Sequence, residues 1–247
     1  MDHSEHCDAL EGEIQRISSG FGAWGPDPEV ASCPGWNVGE VIEHLGRIHR
    51  WAEELVRRRV RQRISTAAID LAPGEVTPQW LTDGGSDLVA TLRGADPDRA
   101  MWAWGADQHV RFWSRRQLHE TMVHRMDIEL AGGVEPTAPT DQATDGVDEF
   151  LANLAFAAHF SPNVLELRGT GERLAFRATD SGASWSVRLN PDGFEWLAGE
   201  YGADAEIAGP AVELLLALYR RRPLGERVEV RGDTSVADFW ITHSALQ

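Results

Sequence analysis

The chain has 247 residues, of which 42% are hydrophobic and 25% charged, as is typical of a soluble globular protein with one large domain or two smaller ones. Its 39 acidic and 23 basic residues, all of the latter arginine, give a formal net charge of −16, which argues against binding to nucleic acid or an anionic membrane. With no apolar run of about 18 residues, an acidic start without a signal-peptide pattern and two cysteines, we expect a cytoplasmic protein without a disulfide framework.

Two amphipathic helices are predicted in the first part of the chain. Apolar residues recur at helical spacing over residues 5–20, and again after Asn37. Asn37 and Glu40 have the spacing of a capping box, which predicts a helix that begins there and runs to about residue 63. The arginines of its last turns are typical of a solvated helix end, and anion binding is the alternative.

The middle of the chain has weaker signals. Glycine and proline punctuate residues 65–85, which predicts a long connection with a helical turn near Trp80, followed by a short helix over residues 86–93. Ser114 and Gln117 form a second capping-box pattern, which predicts a helix from Ser114 to the glycine pair at 132–133. Residues 135–140 have the composition of a linker.

The pattern changes in the last third of the chain. Apolar residues alternate there, and the Asn-Pro-Asp-Gly turn at 190–193 predicts a hairpin. Strands are predicted over residues 164–168, 173–179, 185–189, 194–196, 205–209 and 228–231, and helices over 141–160, 211–222 and 234–246. This order predicts an α + (α+β) chain, with a helix bundle at residues 1–135 and a smaller α+β domain with an antiparallel sheet at residues 141–247.

One predicted helix carries a possible pair of metal ligands. Glu120 and His124 are four residues apart, so both point to one side of the helix that contains them. A carboxylate and an imidazole in this arrangement are donors for a divalent cation, and Asp127 is placed to orient the imidazole. A surface ion pair is the alternative interpretation.

A third donor is predicted on the Asn37 helix. His44 lies on its apolar face, so the side chain should point into the bundle, either as a buried core histidine or as a ligand. Glu40 is a rival carboxylate, although capping competes with that role.

The other histidines and the cysteines are weaker candidates. The cluster of His3, His6 and Cys7 lies near an end of the chain that we expect to fray. Cys33 lies in a turn and is expected to be a buried structural thiol rather than a nucleophile. No convergent partner is evident for the histidines at positions 49, 109, 119, 159 and 243.

Two stretches of the sequence contain motifs that resemble those of a known family. Ser-Cys-Pro-Gly-Trp-Asn-Val at 32–38, Glu-His-Leu-Gly at 43–46 and His-Arg-Trp at 49–51 resemble the opening motif of the mycothiol-dependent maleylpyruvate isomerase family. Residues 113–127 are similar to its second motif. The family joins a DinB-like four-helix bundle to a C-terminal α+β domain, so the resemblance implies this fold over nearly the whole chain.

The resemblance also implies site residues. The family holds a metal, normally zinc, through the histidine of His-Leu-Gly and through Glu-x-x-x-His, which correspond to His44, Glu120 and His124. It further implies a catalytic, cofactor-binding arginine near the end of a C-terminal helix that contacts the anionic thiol or the substrate. Arg222 fits that place best, with Arg221 and Arg220 as the other options.

The implied activity follows from these ligands. Three protein donors leave one position of a tetrahedral metal open, where a thiol binds as its thiolate. The resemblance implies mycothiol as that thiol, and either cis–trans isomerisation of a small electrophilic substrate or thiol S-transfer. A non-catalytic metal- or thiol-binding module and a metal-assisted hydrolase are the alternatives. We expect a monomer or homodimer that acts on small molecules.

Overall fold

The computed structural model describes residues 1–69, 71, 76–199 and 202–246. They form two compact units, of which the first ends at Pro136 and the second begins at Thr137. None of the helices in these parts of the chain combines the length and apolar composition needed to cross a membrane.

The first unit is a four-helix bundle. Its helices are α1 (His3–Trp24), α2 (Val38–Arg58), α3 (Pro78–Arg93) and α4 (Val110–Ala131). Helices α1 and α2 each pack against both α3 and α4, so the four helices enclose one apolar interior. This arrangement confirms the predicted bundle.

The predicted start of α2 is confirmed by its cap. The Asn37 side chain accepts a hydrogen bond from the Glu40 N–H, and the Glu40 carboxylate accepts one from the Asn37 N–H, at 2.9 and 2.7 Å. The helix ends earlier than predicted because Arg59 adopts a left-handed conformation with a φ of 53°.

The predicted connection over residues 65–85 is wrong in its second half. Helix α3 already begins at Pro78, a residue favoured in the first turn of a helix, and Thr77 caps it through its hydroxyl. Between α2 and α3, the described residues contain one short 3-10 helix, at Thr66–Ala68. Residues 70 and 72–75 of the predicted connection lie outside the described part of the chain.

The predicted start of α4 at Ser114 is wrong as well. The helix begins four residues earlier, at Val110, and Ser114 lies inside it. There the Ser114 hydroxyl lies 3.0 Å from the Arg111 carbonyl and 2.8 Å from His3 Nδ1. His3 is thus part of a capped α1 rather than of a frayed end.

A glycine allows α2 and α3 to approach closely. A Cβ atom on Gly46 would lie only 2.0 Å from the Trp80 ring. The same indole is covered by the Arg50 guanidinium at 4.1 Å, and Arg50 also donates to the Trp80 carbonyl. These contacts fix the part of α2 that carries His44.

A buried group of charges joins α1 to α4. Arg125 is fully buried and donates to the carboxylates of Glu13 on α1 and Glu129 on α4. Arg16 contacts Glu129 at 3.0 Å, so two guanidinium groups face two carboxylates. The buried charges are therefore compensated within the bundle.

His49 is a neutral histidine in the bundle interior. Its Nε2 lies 2.8 Å from Thr121 Oγ1, and the Thr121 hydroxyl donates to the Gln117 carbonyl at 2.7 Å. Nε2 therefore carries the hydrogen, and Nδ1 is a buried lone pair that has no hydrogen-bond partner among the described residues. Burial lowers the pKa of His49 to about 3.

This pKa predicts a loss of stability in mild acid. Below its ordinary pKa of about 6.5, His49 takes up a proton in the unfolded chain but not in the folded one. The free energy of unfolding should therefore fall by about 2 kcal/mol more between pH 7 and pH 5 in the wild type than in His49→Gln. Urea denaturation at the two pH values measures this difference, with the exposed His159→Gln as control, and equal slopes in all three proteins would contradict the assignment.

The second unit is a sheet with helices. Its strands are β1 (Arg173–Ala178), β2 (Ser184–Asn190), β3 (Gly193–Ala198), β4 (Ala205–Gly209) and β5 (Glu229–Gly232), and its helices are α5 (Thr140–Leu154), α6 (Ala211–Leu218) and α7 (Thr234–His243). The strand order is β3-β2-β1-β4-β5. The predicted α + (α+β) class is confirmed, as is the hairpin that joins β2 to β3.

Two details of the second unit differ from the prediction. The sheet is mixed rather than antiparallel, because β1 and β4 pair in parallel, with Phe176 opposite Ile207. Residues 164–168 form no strand: Pro162–Glu166 is a 3-10 helix, and its backbone hydrogen bonds are local, as from Val164 to Ser161.

Candidate metal centre

Three predicted donors meet between α2 and α4. His44 Nε2 lies 3.0 Å from Glu120 Oε1, and His124 Nε2 lies 3.5 Å from the same oxygen. One donor atom of each residue lies within 4.8 Å of the others. The helical spacing of Glu120 and His124 places both on the side of α4 that faces His44.

Asp127 orients one imidazole. Its Oδ2 lies 2.9 Å from His124 Nδ1, while its Oδ1 accepts a 2.6 Å hydrogen bond from the Ser32 hydroxyl. Because Nδ1–H donates to this buried carboxylate, Nε2 of His124 is the ring nitrogen that faces Glu120. The sequence pattern predicts this role for Asp127.

Arg116 fixes the carboxylate of Glu120. Arg116 is buried one helical turn before Glu120, and its Nη2 donates to Glu120 Oε2 at 2.8 Å. The other oxygen, Oε1, is the one that faces the two imidazoles. The guanidinium thus holds the carboxylate so that one oxygen is presented to the site.

The charges in the site stabilise one another. Burial favours the neutral form of Glu120, but hydrogen bonds from His124 and His44 and the charge of Arg116 outweigh it, so the pKa of Glu120 lies well below its ordinary value. Burial likewise opposes the charge of His124, but Asp127, Cys33 and Glu120 raise its pKa well above the ordinary value. Glu120 is therefore an anion at neutral pH.

The site is partly open to solvent. The side chains of His44 and Glu120 retain 27% and 24% of their exposure, whereas His124 retains 13%. The Trp36 ring packs against the His44 imidazole at a centroid distance of 5.1 Å. His44 and Glu120 are therefore accessible to solvent beside the Trp36 ring.

The donors fit a divalent cation. In a tetrahedral zinc site with bonds of about 2.0–2.1 Å to nitrogen and oxygen, neighbouring donor atoms are about 3.4 Å apart. The separations of 3.0 and 3.5 Å between the imidazole nitrogens and Glu120 Oε1 are close to that value. Two imidazoles and one carboxylate are also a ligand set that zinc enzymes use when one position is left for water or substrate.

Glu40 takes no part in this arrangement. It completes the cap of α2, and it belongs to neither of the two groups of possible metal donors found among the described residues. His119 is buried elsewhere in the bundle, where its ring packs near His6 at 6.4 Å.

Arg222 lies in the second unit, after the end of α6. It is buried, and its Nη1 lies 3.2 Å from Glu213 Oε2. Its neighbour Arg221 donates to the Tyr219 carbonyl, and Arg220 has a left-handed backbone with a φ of 57°. The guanidinium of Arg222 is thus held by a largely buried carboxylate of the same unit.

The sequence matches known families along most of its length. Residues 9–129 match the family described as Mycothiol maleylpyruvate isomerase N-terminal domain, and residues 141–239 match the MDMPI C-terminal domain. The chain belongs to the mycothiol maleylpyruvate isomerase family. This confirms the resemblance carried by the two sequence motifs.

Solved structures of such an isomerase share the fold. Crystal structures of the mycothiol-dependent maleylpyruvate isomerase and of its histidine-to-alanine variant are 13% and 12% identical to this chain, with TM-scores of 0.57 and 0.59. In both comparisons 93% of each chain is covered. No protein in the curated set matches the sequence.

Several side chains in or near the candidate metal centre have contacts that the sequence did not predict. Arg116 was not singled out, although an arginine four residues before a glutamate on a helix is a recognisable signal. Cys33 was expected to be buried, but it is partly exposed and its Sγ lies 3.6 Å from Asp127 Oδ2. His49 has Thr121 as the partner that the sequence did not reveal.

Proposed function

We propose that this protein is a metal-dependent enzyme that uses mycothiol as a nucleophile, either as a maleylpyruvate-isomerase-like cis–trans isomerase or as a thiol S-transferase. The observation that carries the proposal is the convergence of His44 Nε2, Glu120 Oε1 and His124 Nε2 in a partly open site. Membership of the isomerase family and the shared fold support it.

The proposed ligands are His44, Glu120 and His124, with zinc as the expected cation. A bound zinc ion supplies the positive charge that keeps a thiol ionised near neutral pH. The protein contributes the orientation: Asp127 holds the tautomer of His124, and Arg116 turns Oε1 of Glu120 towards the imidazoles. The partial exposure of His44 and Glu120 gives a thiol access.

Cys7, one of the two cysteines, is poorly suited to act as a nucleophile. Cys7 is buried in the core, and burial raises its pKa to about 11, so it is a neutral thiol at physiological pH. Membership of the mycothiol-dependent isomerase family makes an exogenous thiol the proposed reactant. In an isomerase the thiolate adds to an activated cis double bond, rotation follows, and elimination gives the trans product and returns the thiolate. In an S-transferase the new carbon–sulfur bond is kept.

The test is an assay of zinc-loaded protein with mycothiol and either maleylpyruvate or a thiol-reactive electrophile. We expect turnover that requires both the metal and the thiol and that is lost in His44→Ala. Turnover without the thiol would instead indicate a metal-assisted hydrolase. Metal binding without turnover over a broad set of electrophiles would indicate a non-catalytic binding module.

Arg222 is proposed to bind the anionic thiol or the substrate. Arg222→Gln should raise the KM for mycothiol, and it should also destabilise the protein, because it removes this partner from the largely buried Glu213 carboxylate. The double variant Arg222→Gln/Glu213→Gln separates the two effects, since neutralising both groups should recover stability. A KM that returns to the wild-type value in the double variant would show that Arg222 has only a structural role.

We also predict that zinc is the physiological ion, that the protein is a monomer or a homodimer, and that it is cytoplasmic. Elemental analysis of protein purified without added metal tests the first, and sedimentation of the purified chain tests the second.

A further inference from the structure

A second group of metal-binding side chains lies beside the proposed zinc ligands. Cys33, Asp127 and His124 each offer a donor atom within 4.8 Å of the other two. Cys33 Sγ lies 3.6 Å from Asp127 Oδ2, and His124 Nδ1 lies 2.9 Å from the same oxygen. His124 therefore has one ring nitrogen directed at each group.

We propose that Cys33, Asp127 and His124 form a second cation site, specific for thiophilic divalent metals, which shares His124 with the first site. The inference does not depend on the proposed thiol chemistry. The donors would be the Cys33 sulfur, Asp127 Oδ2 and His124 Nδ1.

The distances suit such a cation. With zinc bonds of about 2.3 Å to sulfur and about 2.0 Å to oxygen, the two ligand atoms are about 3.5 Å apart in a tetrahedral site. The observed separation of Cys33 Sγ and Asp127 Oδ2 is 3.6 Å. The nitrogen and oxygen, at 2.9 Å, need to move apart by only about 0.4 Å to reach their zinc-bound separation.

The charge balance also suits a divalent ion. The Cys33 thiol and His124 Nδ1–H both donate to Asp127 Oδ2. A divalent cation that replaces these two protons, which pass to solvent, leaves the net charge of the group unchanged. With both sites filled, His124 would bridge the two ions as an imidazolate, and its Nδ1 would bind the cation instead of donating to Asp127. Asp127 is buried, so a change in net charge here would be costly.

The loop that carries Cys33 is held in place. The Val30 N–H donates to the Trp36 carbonyl, the Cys33 N–H donates to the Val30 carbonyl, and the Trp36 N–H donates to the Cys33 carbonyl, each at 2.9 Å. Ser32 is bound to Asp127 by its hydroxyl. The thiol thus belongs to a preformed turn that lies against α4.

A thiolate gives this site a metal preference different from that of the first. Sulfur selects soft or borderline cations such as Cd²⁺, Co²⁺ and Zn²⁺, whereas Mg²⁺ and Ca²⁺ require oxygen donors. The experiment is therefore a Co²⁺ titration of metal-free protein without added thiol, because sulfur bound to cobalt gives a charge-transfer absorption band that nitrogen and oxygen donors do not.

We expect two Co²⁺ per wild-type chain, together with the sulfur-to-cobalt band. Cys33→Ser, which keeps a hydrogen-bond donor to Asp127, should lose the band and one ion. His44→Ala should lose one ion but keep the band, and Cys7→Ser should keep both ions and the band. Asp127→Asn should weaken the ion that gives the band by at least about 10-fold.

The outcomes separate this inference from the proposed function. Absence of the band in the wild type, or its persistence in Cys33→Ser, would overturn the second site. If His44→Ala binds as many ions as the wild type, the first site fails instead. Thermal unfolding of each metal-free variant shows whether it is folded. If Cys33→Ser is not folded, the spectrum of Cys7→Ser decides, because Cys33 is then the only cysteine that can give the band.

Discussion

We expect the affinity for zinc to fall by at least about 100-fold when His44, Glu120 or His124 is replaced by alanine. Mutating a residue that only hydrogen-bonds to a metal ligand typically lowers metal affinity by about 10- to 100-fold. Removing a direct ligand should lower it further. The two imidazole nitrogens lie on either helix and both face Glu120 Oε1. When one of the three donors is removed, the remaining two cannot supply the missing bond. Thiol-dependent turnover should fall with the bound metal.

The measurement is the metal content of each variant after dialysis against limiting zinc, together with competition against a chromophoric chelator. His159→Ala is the matched control, because His159 is exposed and lies in the second unit. Glu120→Gln accompanies Glu120→Ala, since it keeps the side-chain volume beside Arg116. Full zinc occupancy in all three ligand variants would disprove the assignment.

The largest loss of stability is expected from Arg125→Met. The substitution keeps much of the side-chain volume but leaves Glu13 and Glu129 buried without their main counter-charge. Removing one partner of a buried ion pair typically costs about 3–5 kcal/mol, because the remaining charge stays desolvated. Urea denaturation monitored by circular dichroism measures this change in the free energy of unfolding.

An exposed ion pair supplies the matched control. Arg93 also joins two helices of the bundle, through Asp8 and Glu11, but its partners are largely exposed. Arg93→Met should therefore cost less than about 1 kcal/mol. Adding Glu13→Gln and Glu129→Gln to Arg125→Met should recover much of the lost stability. A similar loss in Arg93→Met and Arg125→Met would refute the role of burial.

The sequence predicts those parts of the fold that depend on local signals. The Asn37 cap, the apolar face of α2 and the turn at 190–193 depend on residues a few positions apart, and they are where expected. The same local rule fails at Ser114, because its hydroxyl bonds to a carbonyl within α4 and to His3 of α1, which is distant in sequence. The parallel pairing of β1 with β4 is likewise a long-range contact that alternation does not encode.

The candidate site likewise has parts that local sequence patterns predict and parts that depend on long-range packing. Helical spacing places Glu120 beside His124, and the apolar pattern of α2 turns His44 inwards, while the family resemblance joins the three. The spacing of residues does not reveal that the turn with Cys33 lies against Asp127, because the two are 94 residues apart in the sequence. That contact depends on how the turn before α2 packs on α4.

The position of the donors on two helices has a consequence for the behaviour of the bundle. His44 and Glu120 are 76 residues apart in the chain, so an ion bound between them acts as a cross-link of α2 to α4. A ligand present at 100 times its dissociation constant stabilises the folded state by about 2.7 kcal/mol. Chelation of a bound ion should then raise amide hydrogen exchange first in these two helices, and the bundle would be more rigid with the metal than without it.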